Sequence, residues 1–359
     1  MKSSNPDKIG CIESVNPIKY KNWNDLILKN KGYSIFHSRE WCQLLNETYG
    51  YNPCYLTIFN ENDFDFMMPF MEVDSIFTGS RFVSLPFSDY CEPIIKNNFN
   101  IKELIRTVKN VRRGKSFNYF DIKGGAYLFD KEKIYNEGYI HKLDLCLEGN
   151  IIYSNLQSSN KRNIKKAIKK SVRVGFSNDY KSIVEFYRLN ILTRQRHGIP
   201  PQPFKFFKNL YNILRNPGLF EIVEASYKDK IIASCLFLLF GKKVVYKFGA
   251  SDYAYQNLRP NDLLFWEAIK HYSQLGFEEI SFGRTEKRHT SLRQFKLGWG
   301  VDEYSAPYYR YNLKNGTFIS NQSFDYTSPK NLGINKYLFQ KFPKPILKFI
   351  GSVAYKHIG

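Results

Sequence analysis

Three apolar, strand-like runs stand back to back at residues 220–227, 230–240 and 243–250, separated only by Lys228-Asp229 and Gly241-Lys242. A two-residue connection forces neighbouring strands to run antiparallel, since a parallel neighbour needs a crossover of about a dozen residues or more. The sequence therefore predicts an antiparallel meander at this point. Residues 260–275 follow as an amphipathic helix, opened by Pro260 and stopped by Gly276. Residues 279–282 and 304–312 read as further strands. Ahead of the meander, 155–171 is helical, with Ile164, Ala167, Ile168 and Val172 as a narrow apolar stripe. A longer helix runs from 179 to 193.

The first half carries the same mixture. Residues 37–50 place Trp41, Leu44, Leu45 and Tyr49 at helical spacing and end at Gly50. Strand-like runs follow at 54–59, 64–71 and 81–85, then a basic helix over 98–116 and a strand over 117–122, broken by Gly124-Gly125. A chain of 359 residues exceeds one ordinary domain of roughly 100–200 residues. The expected division is 1–150, 151–315 and an extension over 316–359.

Net charge is +20, and it is local. Residues 151–215 hold fourteen Lys and Arg against two acids, and 311–359 hold seven lysines against one Asp. Such clustering points to anionic partners. The run 161–173 has seven positive charges and no negative one: Lys161, Arg162, Lys165, Lys166, Lys169, Lys170 and Arg173. It fits a solvated face, contact with tRNA phosphates, a lipid-linked anionic substrate or a membrane surface. The stretch 343–359 is amphipathic if helical, with Ile346, Leu347, Ile350, Val353, Ala354 and Ile358 on one face and Lys344, Lys348 and Lys356 at its edges. It fits equally an interfacial membrane helix and a helix docked on its own protein.

Cys11, Cys42, Cys54, Cys91, Cys146 and Cys235 show no CxxC spacing, so neither a zinc site nor a small disulfide framework is expected. Free thiols suit a reducing compartment. Residues 1–10 are polar and lack a signal-peptide core. The longest apolar run, 231–240, is interrupted by Ser234 and is half the roughly 20 residues a bilayer span needs. A cytoplasmic protein is expected, with peripheral contact at the inner membrane face left open through 343–359. No HExxH, GxSxG, P-loop or complete dinucleotide fingerprint is present, and no metal is expected.

The order of meander, helix, strand, short helix and strand is that of an N-acetyltransferase domain. Individual motifs add to it. FHSREWCQLLNETYG (36–50), RFVSLPFSDYCEPI (81–94) and LTRQRHGIPPQPFKFFKNLY (192–211) resemble, in order, motifs of the Fem-type transferases. So do YKFGASD and LRPNDLLFWEAI (within 246–269), ISFGRT (280–285) and LRQFKLGWG (292–300). The resemblance covers nearly the whole chain. It implies an α+β protein with two tandem GNAT-like domains, central mixed and largely antiparallel sheets flanked by helices, and here a C-terminal amphipathic extension. The best-known members attach amino acids from aminoacyl-tRNA to amines on peptidoglycan precursors, and other relatives are acyl-CoA-dependent N-acyltransferases.

By that resemblance Phe295 and Lys296 match the Phe-Lys pair at the catalytic centre. A fixed ammonium in a dry cleft would stabilise the charge that builds on the carbonyl oxygen during acyl transfer. Arg196, with Arg194 as the second choice, matches an arginine that contacts substrate phosphate, and guanidinium forks suit that task. His197 fits a base or a loop histidine equally. Arg284, after a strand end, fits ligand contact or structural pairing equally. At the start of the helix over 260–275, backbone amides with Arg259 and Asn261 would hold a donor anion. Acetyl-CoA-binding relatives have a Gly-rich loop there, whereas this chain has ASDYAYQNLRPND. Some precursor-binding Fem enzymes have a lysine where this chain has Leu45, which puts a nucleotide-linked peptidoglycan substrate in doubt.

The expected function is amide formation on an amine of a cell-envelope or surface-polysaccharide precursor. Acyl-CoA or aminoacyl-tRNA serves as co-substrate, and no cofactor is covalently bound. A non-catalytic module of the same fold, binding acidic glycan, nucleic acid or membrane, is the alternative.

Overall fold

The computed structural model describes residues 12–60, 63–96, 101–111, 117–320 and 336–359. The chain divides into two compact units. The first comprises the residues up to Asn46, Gly50–Tyr135 and Tyr308–Ser320, and the second comprises Glu47–Tyr49, Asn136–Pro307 and Asn321–Gly359.

The first unit contains β1 (Glu13–Val15), α1 (Trp23–Leu28), the greater part of α2 (Arg39–Tyr49), β2 (Asn52–Pro53), β3 (Tyr55–Asn60), β4 (Asp63–Met68), β5 (Met71–Val73), β6 (Arg81–Ser84), β7 (Ile94–Ile95), α3 (Ile101–Val111) and β8 (Tyr119–Lys123). Ser38 caps α2 by accepting the Trp41 N–H, and Gly50 closes it in the left-handed conformation. The run expected over 64–71 is two strands, β4 and β5, separated at Pro69-Phe70, because proline cannot donate to a ladder. The basic helix expected over 98–116 is α3, and the ends of that prediction lie outside the described residues.

The second unit opens with β9 (Gly138–Asp144), followed by α4 (Gly149–Asn155), α5 (Ser158–Lys169), β10 (Arg173–Ser177), α6 (Tyr180–His197) and α7 (Phe204–Leu214). The meander is β11 (Phe220–Tyr227), β12 (Lys230–Phe240) and β13 (Lys243–Ser251). After it come α8 (Pro260–Gln274), β14 (Glu279–Glu286), α9 (Thr290–Leu297) and β15 (Asp302–Ser305). Lys228 and Asp229 both take positive φ, the geometry that matches a two-residue hairpin to the strand twist. The strands form one seven-stranded sheet in the order β10-β11-β12-β13-β14-β9-β15. Its core includes Leu143, Ile164, Ala167, Phe237, Phe265, Phe282 and Trp299. Ile168, expected in the apolar stripe of α5, is instead 57% exposed. Of the residues expected to be helical before 158, only Asn155 is, as the last residue of the separate α4.

Two boundaries differ from expectation. The first unit ends at Tyr135, because β9 pairs with β14 and β15 in the second sheet. The strand expected over 304–312 is two strands in different sheets: β15, and β16 (Tyr308–Asn312), split at Ala306-Pro307. β16 and β17 (Thr317–Ile319) belong to the first unit, whose six-stranded sheet has the order β17-β16-β8-β6-β5-β2 beside a four-stranded β1-β3-β4-β7. Tyr309, Tyr311 and Phe318 are buried in that unit's core. The C-terminal helices α10 (Lys336–Lys341) and α11 (Lys344–Ile358) complete the second unit. Among the described residues no helix is long and apolar enough to cross a membrane, and no group of three or more His, Cys, Asp or Glu is placed to hold a metal ion.

Candidate active site

Among the described residues, the one parallel pairing in the second sheet is that of β13 with β14, and it is short. Lys243, Val244 and Val245 oppose Glu279, Ile280 and Ser281, after which the register ends although both strands continue. A bulge at Lys247 bends β13 away, since Leu236 opposes Phe248 while Phe237 opposes Tyr246. β14 bends as well: Ser281 opposes Lys142 and Arg284 opposes Ile140, which leaves Phe282 and Gly283 facing His141 alone. Gly283 meets this kink with a φ of 71°. A wedge therefore opens between the strands beyond Val245 and Ser281.

An aromatic cluster of the core packs beside this point. Phe265 of α8 stacks on Phe282 at 5.6 Å and meets Tyr246, Phe295 and Trp299 edge-on or tilted at 4.7, 5.7 and 5.4 Å. Burial raises the Tyr246 phenol, and the Cys235 thiol beside it raises it further, so Tyr246 stays neutral. Phe295, 37% exposed, lies where α9 meets solvent, while Lys296 beside it is only 3% exposed.

The Lys296 Nζ donates to the Gly283 carbonyl at 2.8 Å and to the Arg284 carbonyl at 3.3 Å. The kink in β14 thus turns backbone oxygens toward α9, and they fix an ammonium group at the point where the two strands part. Close by is a network that the sequence did not reveal. His141 is fully buried, and its Nε2 lies 2.9 Å from Glu303 Oε2. Arg293, one turn before Lys296 on α9, clamps both oxygens of Glu303 at 2.7 and 2.5 Å. Burial and the positive charge of Lys296 hold His141 below its ordinary value, against the pull of Glu303. The Arg293 hydrogen bond holds Glu303 below the ordinary carboxylate range. A signal for this network was present only as pairing: Glu303 opposes His141 across β15 and β9, from 162 residues away.

The other expected site residues separate. Arg194, Arg196 and His197 form the last turn of α6, a helix that continues past 193 to a left-handed Gly198 cap. The charge of Arg194 acts on the buried Tyr246 phenol of the wedge, whereas the Arg196 guanidinium lies 5.0 Å over the Tyr253 ring. His197 is exposed. Arg284 is committed to structure, donating to the Ala306 carbonyl at 2.8 Å and to the carbonyl and side chain of Asn136 at 2.9 and 2.5 Å. Ligand contact by Arg284 would require breaking those bonds.

Arg259 is exposed at a φ of 59° immediately before α8, and Asn261 stands in the first turn of that helix. Asp262 follows. Its carboxyl is raised by burial, partly offset by a hydrogen bond from Asn163 at 3.1 Å and by Arg259. That bond ties α5 to the start of α8, and the Gln157 N–H donates to the Gly298 carbonyl, tying the start of α5 to the end of α9. The basic helix is therefore anchored to both elements that frame the wedge. Arg162, Lys165, Lys166, Lys169 and Lys170 are exposed on it, while Lys161 is half-buried with its Nζ on the Ser154 carbonyl.

Residues 158–304 match the family model of the Acetyltransferase (GNAT) domain. That stretch is a GNAT domain. It contains the wedge and Lys296, and it places the chain among the acyltransferases. No curated protein sequence matches the chain. Solved structures extend the likeness to both units. FemX superposes with a TM-score of 0.66 at 14% identity, over 89% of this chain and 98% of its own. L-PGS from Bacillus licheniformis gives 0.53 at 12%, over 90% and 97%. A tandem GNAT protein from the clavulanic acid biosynthesis pathway gives 0.54 at 6%, over 84% and 98%. The α+β tandem-GNAT fold expected from the Fem-type motifs is the fold observed.

Proposed function

We propose that the protein joins an activated acyl or aminoacyl group to an amine of a cell-envelope or surface-polysaccharide precursor, forming an amide. The observation that carries this reading is the buried Lys296 ammonium, fixed on the Gly283 and Arg284 carbonyls where β13 and β14 part. In the reaction the acceptor nitrogen attacks the acyl carbonyl carbon, and the carbon–oxygen bond of an ester or the carbon–sulfur bond of a thioester breaks. The leaving hydroxyl or thiol takes up the proton that the amine gives away. Lys296 stabilises the oxyanion in between, and the Phe265, Phe282, Phe295 and Trp299 rings keep water from the acyl group. Neither donor needs an acyl-enzyme, because both arrive activated.

Aminoacyl-tRNA is the donor best supported. The exposed cations of α5 are anchored to α8 and α9, so a polyanion bound on α5 would lie beside the wedge. Acyl-CoA is the second reading, favoured by the N-terminus of α8 with Arg259. Against it, the Asp262 carboxyl already occupies the first turn of that helix. Arg196, stacked over the Tyr253 ring, and Arg194, two residues earlier on α6, are the candidates to hold an acceptor phosphate. Mass spectrometry of ligand retained through purification, followed by transfer assays with charged tRNA and with acyl-CoA, tests the reading. Retention of coenzyme A with no tRNA binding at low salt selects the second donor. Failure of both donors on every amine offered, with nothing retained, returns the protein to a binding role.

A further inference from the structure

Helix α11 is apolar on two opposite faces. Leu347, Gly351 and Tyr355 recur every four residues and are buried, facing α6 and the loop that follows it. The Tyr355 hydroxyl donates to the Pro200 carbonyl at 3.2 Å, and Gly351 lies so close to the Pro201 carbonyl that a Cβ would collide with it. On the outward side Ile346, Phe349 and Val353 form a second stripe, 46%, 69% and 46% exposed. An ordinary docked helix turns charge outward, and apolar residues on both sides mean that a second apolar phase covers it. The exposed Lys348, Ser352 and Lys356 edge this stripe, and residues 336–359 contain five lysines and no acid. A groove of about 490 Å3 borders it, lined by Val184, Tyr187, Pro203, Phe204 and Phe349.

An apolar stripe edged by lysines is complementary to a bilayer surface, which offers an apolar interior beneath anionic headgroups. A second copy is a poor occupant, because Lys348 and Lys356 would face the same lysines of the other copy. At about 1.5 Å per residue, α11 is too short to span and would lie in the interface plane. We propose that the outward face of α11 seats the protein on an anionic membrane, with Phe349 at the centre of the contact. The two sequence alternatives for this segment then become two faces of one helix. The proposal is independent of which donor the wedge takes.

Co-sedimentation of the full chain with lipid vesicles tests it. Binding is expected to vesicles containing about a third phosphatidylglycerol and to be much weaker to pure phosphatidylcholine. A Phe349→Glu, Val353→Glu double variant should lower the partition coefficient at least about tenfold while keeping the wild-type melting temperature, since both side chains are exposed. Should that variant melt early, Phe349→Ser with Val353→Ser serves in its place. Double-variant binding equal to wild type overturns the proposal, as does wild type that ignores both kinds of vesicle. A wild-type dimer in light scattering that the double variant dissolves, without vesicle binding, identifies a self-association face and likewise overturns it.

Discussion

Lys296 does two jobs with one ammonium group, and substituting it separates them. Lys296→Met removes the charge offered to the developing oxyanion, a loss on the scale of about 10²–10³ in kcat. It also takes the Nζ donor from the Gly283 carbonyl, and an unsatisfied buried acceptor costs about 1–3 kcal/mol. The variant should therefore be slower and measurably less stable in urea, and not merely inactive. Wild-type turnover at a temperature where the variant is folded would leave Lys296 as a pin between α9 and β14. His141 carries a pH prediction. Its folded-state value lies below 6.5, so the unfolded chain binds the extra proton first. The stability due to its neutral burial is complete well above pH 6.5 and is lost as pH falls through that value. One proton limits the slope to about 1.4 kcal/mol per pH unit. Urea midpoints measured from pH 8 to pH 5 should fall in wild type and fall less in His141→Gln. Equal slopes would mean that His141 exchanges its proton freely in the folded protein.

At the scale of elements, α5 and α11 make separable predictions. If tRNA binds along α5, each phosphate neutralised adds nearly one unit to the slope of log affinity against log salt. Replacing Lys165, Lys166, Lys169 and Lys170 with Gln should flatten that slope by up to about 3 units, with no effect on melting because all four are exposed. An unchanged slope in electrophoretic or fluorescence titrations would remove α5 from the tRNA site. Gly351→Ala drives a methyl group against the Pro201 carbonyl, and such overpacking costs about 1–3 kcal/mol. The expected result is release of α11 to limited proteolysis at a temperature where wild type is protected. The meander was legible because Lys228-Asp229 and Gly241-Lys242 leave no other topology open. The docked face of α11 was not, because hydropathy ranks Ile346 and Val353 above Gly351, and only the neighbouring Pro201 carbonyl makes a glycine necessary. The His141–Glu303–Arg293 network was hidden for a related reason: its members are ordinary residues until β9 and β15 bring them into register.

At the scale of the molecule, the sequence conveyed two units of the right kind but not the path of the chain between them. Composition and turn signals mark where elements begin and end, whereas membership of a sheet is decided by pairing partners far away in sequence. The chain leaves the first unit at Tyr135, returns at Tyr308 and leaves again after Ser320. A fragment ending at residue 150, the boundary suggested by local pattern, would lack β16 and β17. It would lose the pairing of Tyr308–Asn312 with Tyr119–Lys123 and uncover Phe120, which stacks on Tyr311 at 4.9 Å. The Asp121 carboxylate, held bidentately by Arg310 at 2.5 and 2.6 Å, would lose its partner as well. The same fragment would carry β9 away from β14 and β15, leaving the second unit without the strand that presents His141 to the kink at Gly283. Expressed separately, residues 1–150 and 151–359 should each be aggregated or unfolded by circular dichroism and size exclusion. Joining residues 12–135 to 308–320 through a short flexible linker should restore a cooperative melt to the first unit, because every strand of its two sheets is then present. Two independently folding halves cut at 150 would show that β9 and β16 contribute little to their sheets, and would reinstate the boundary read from the sequence.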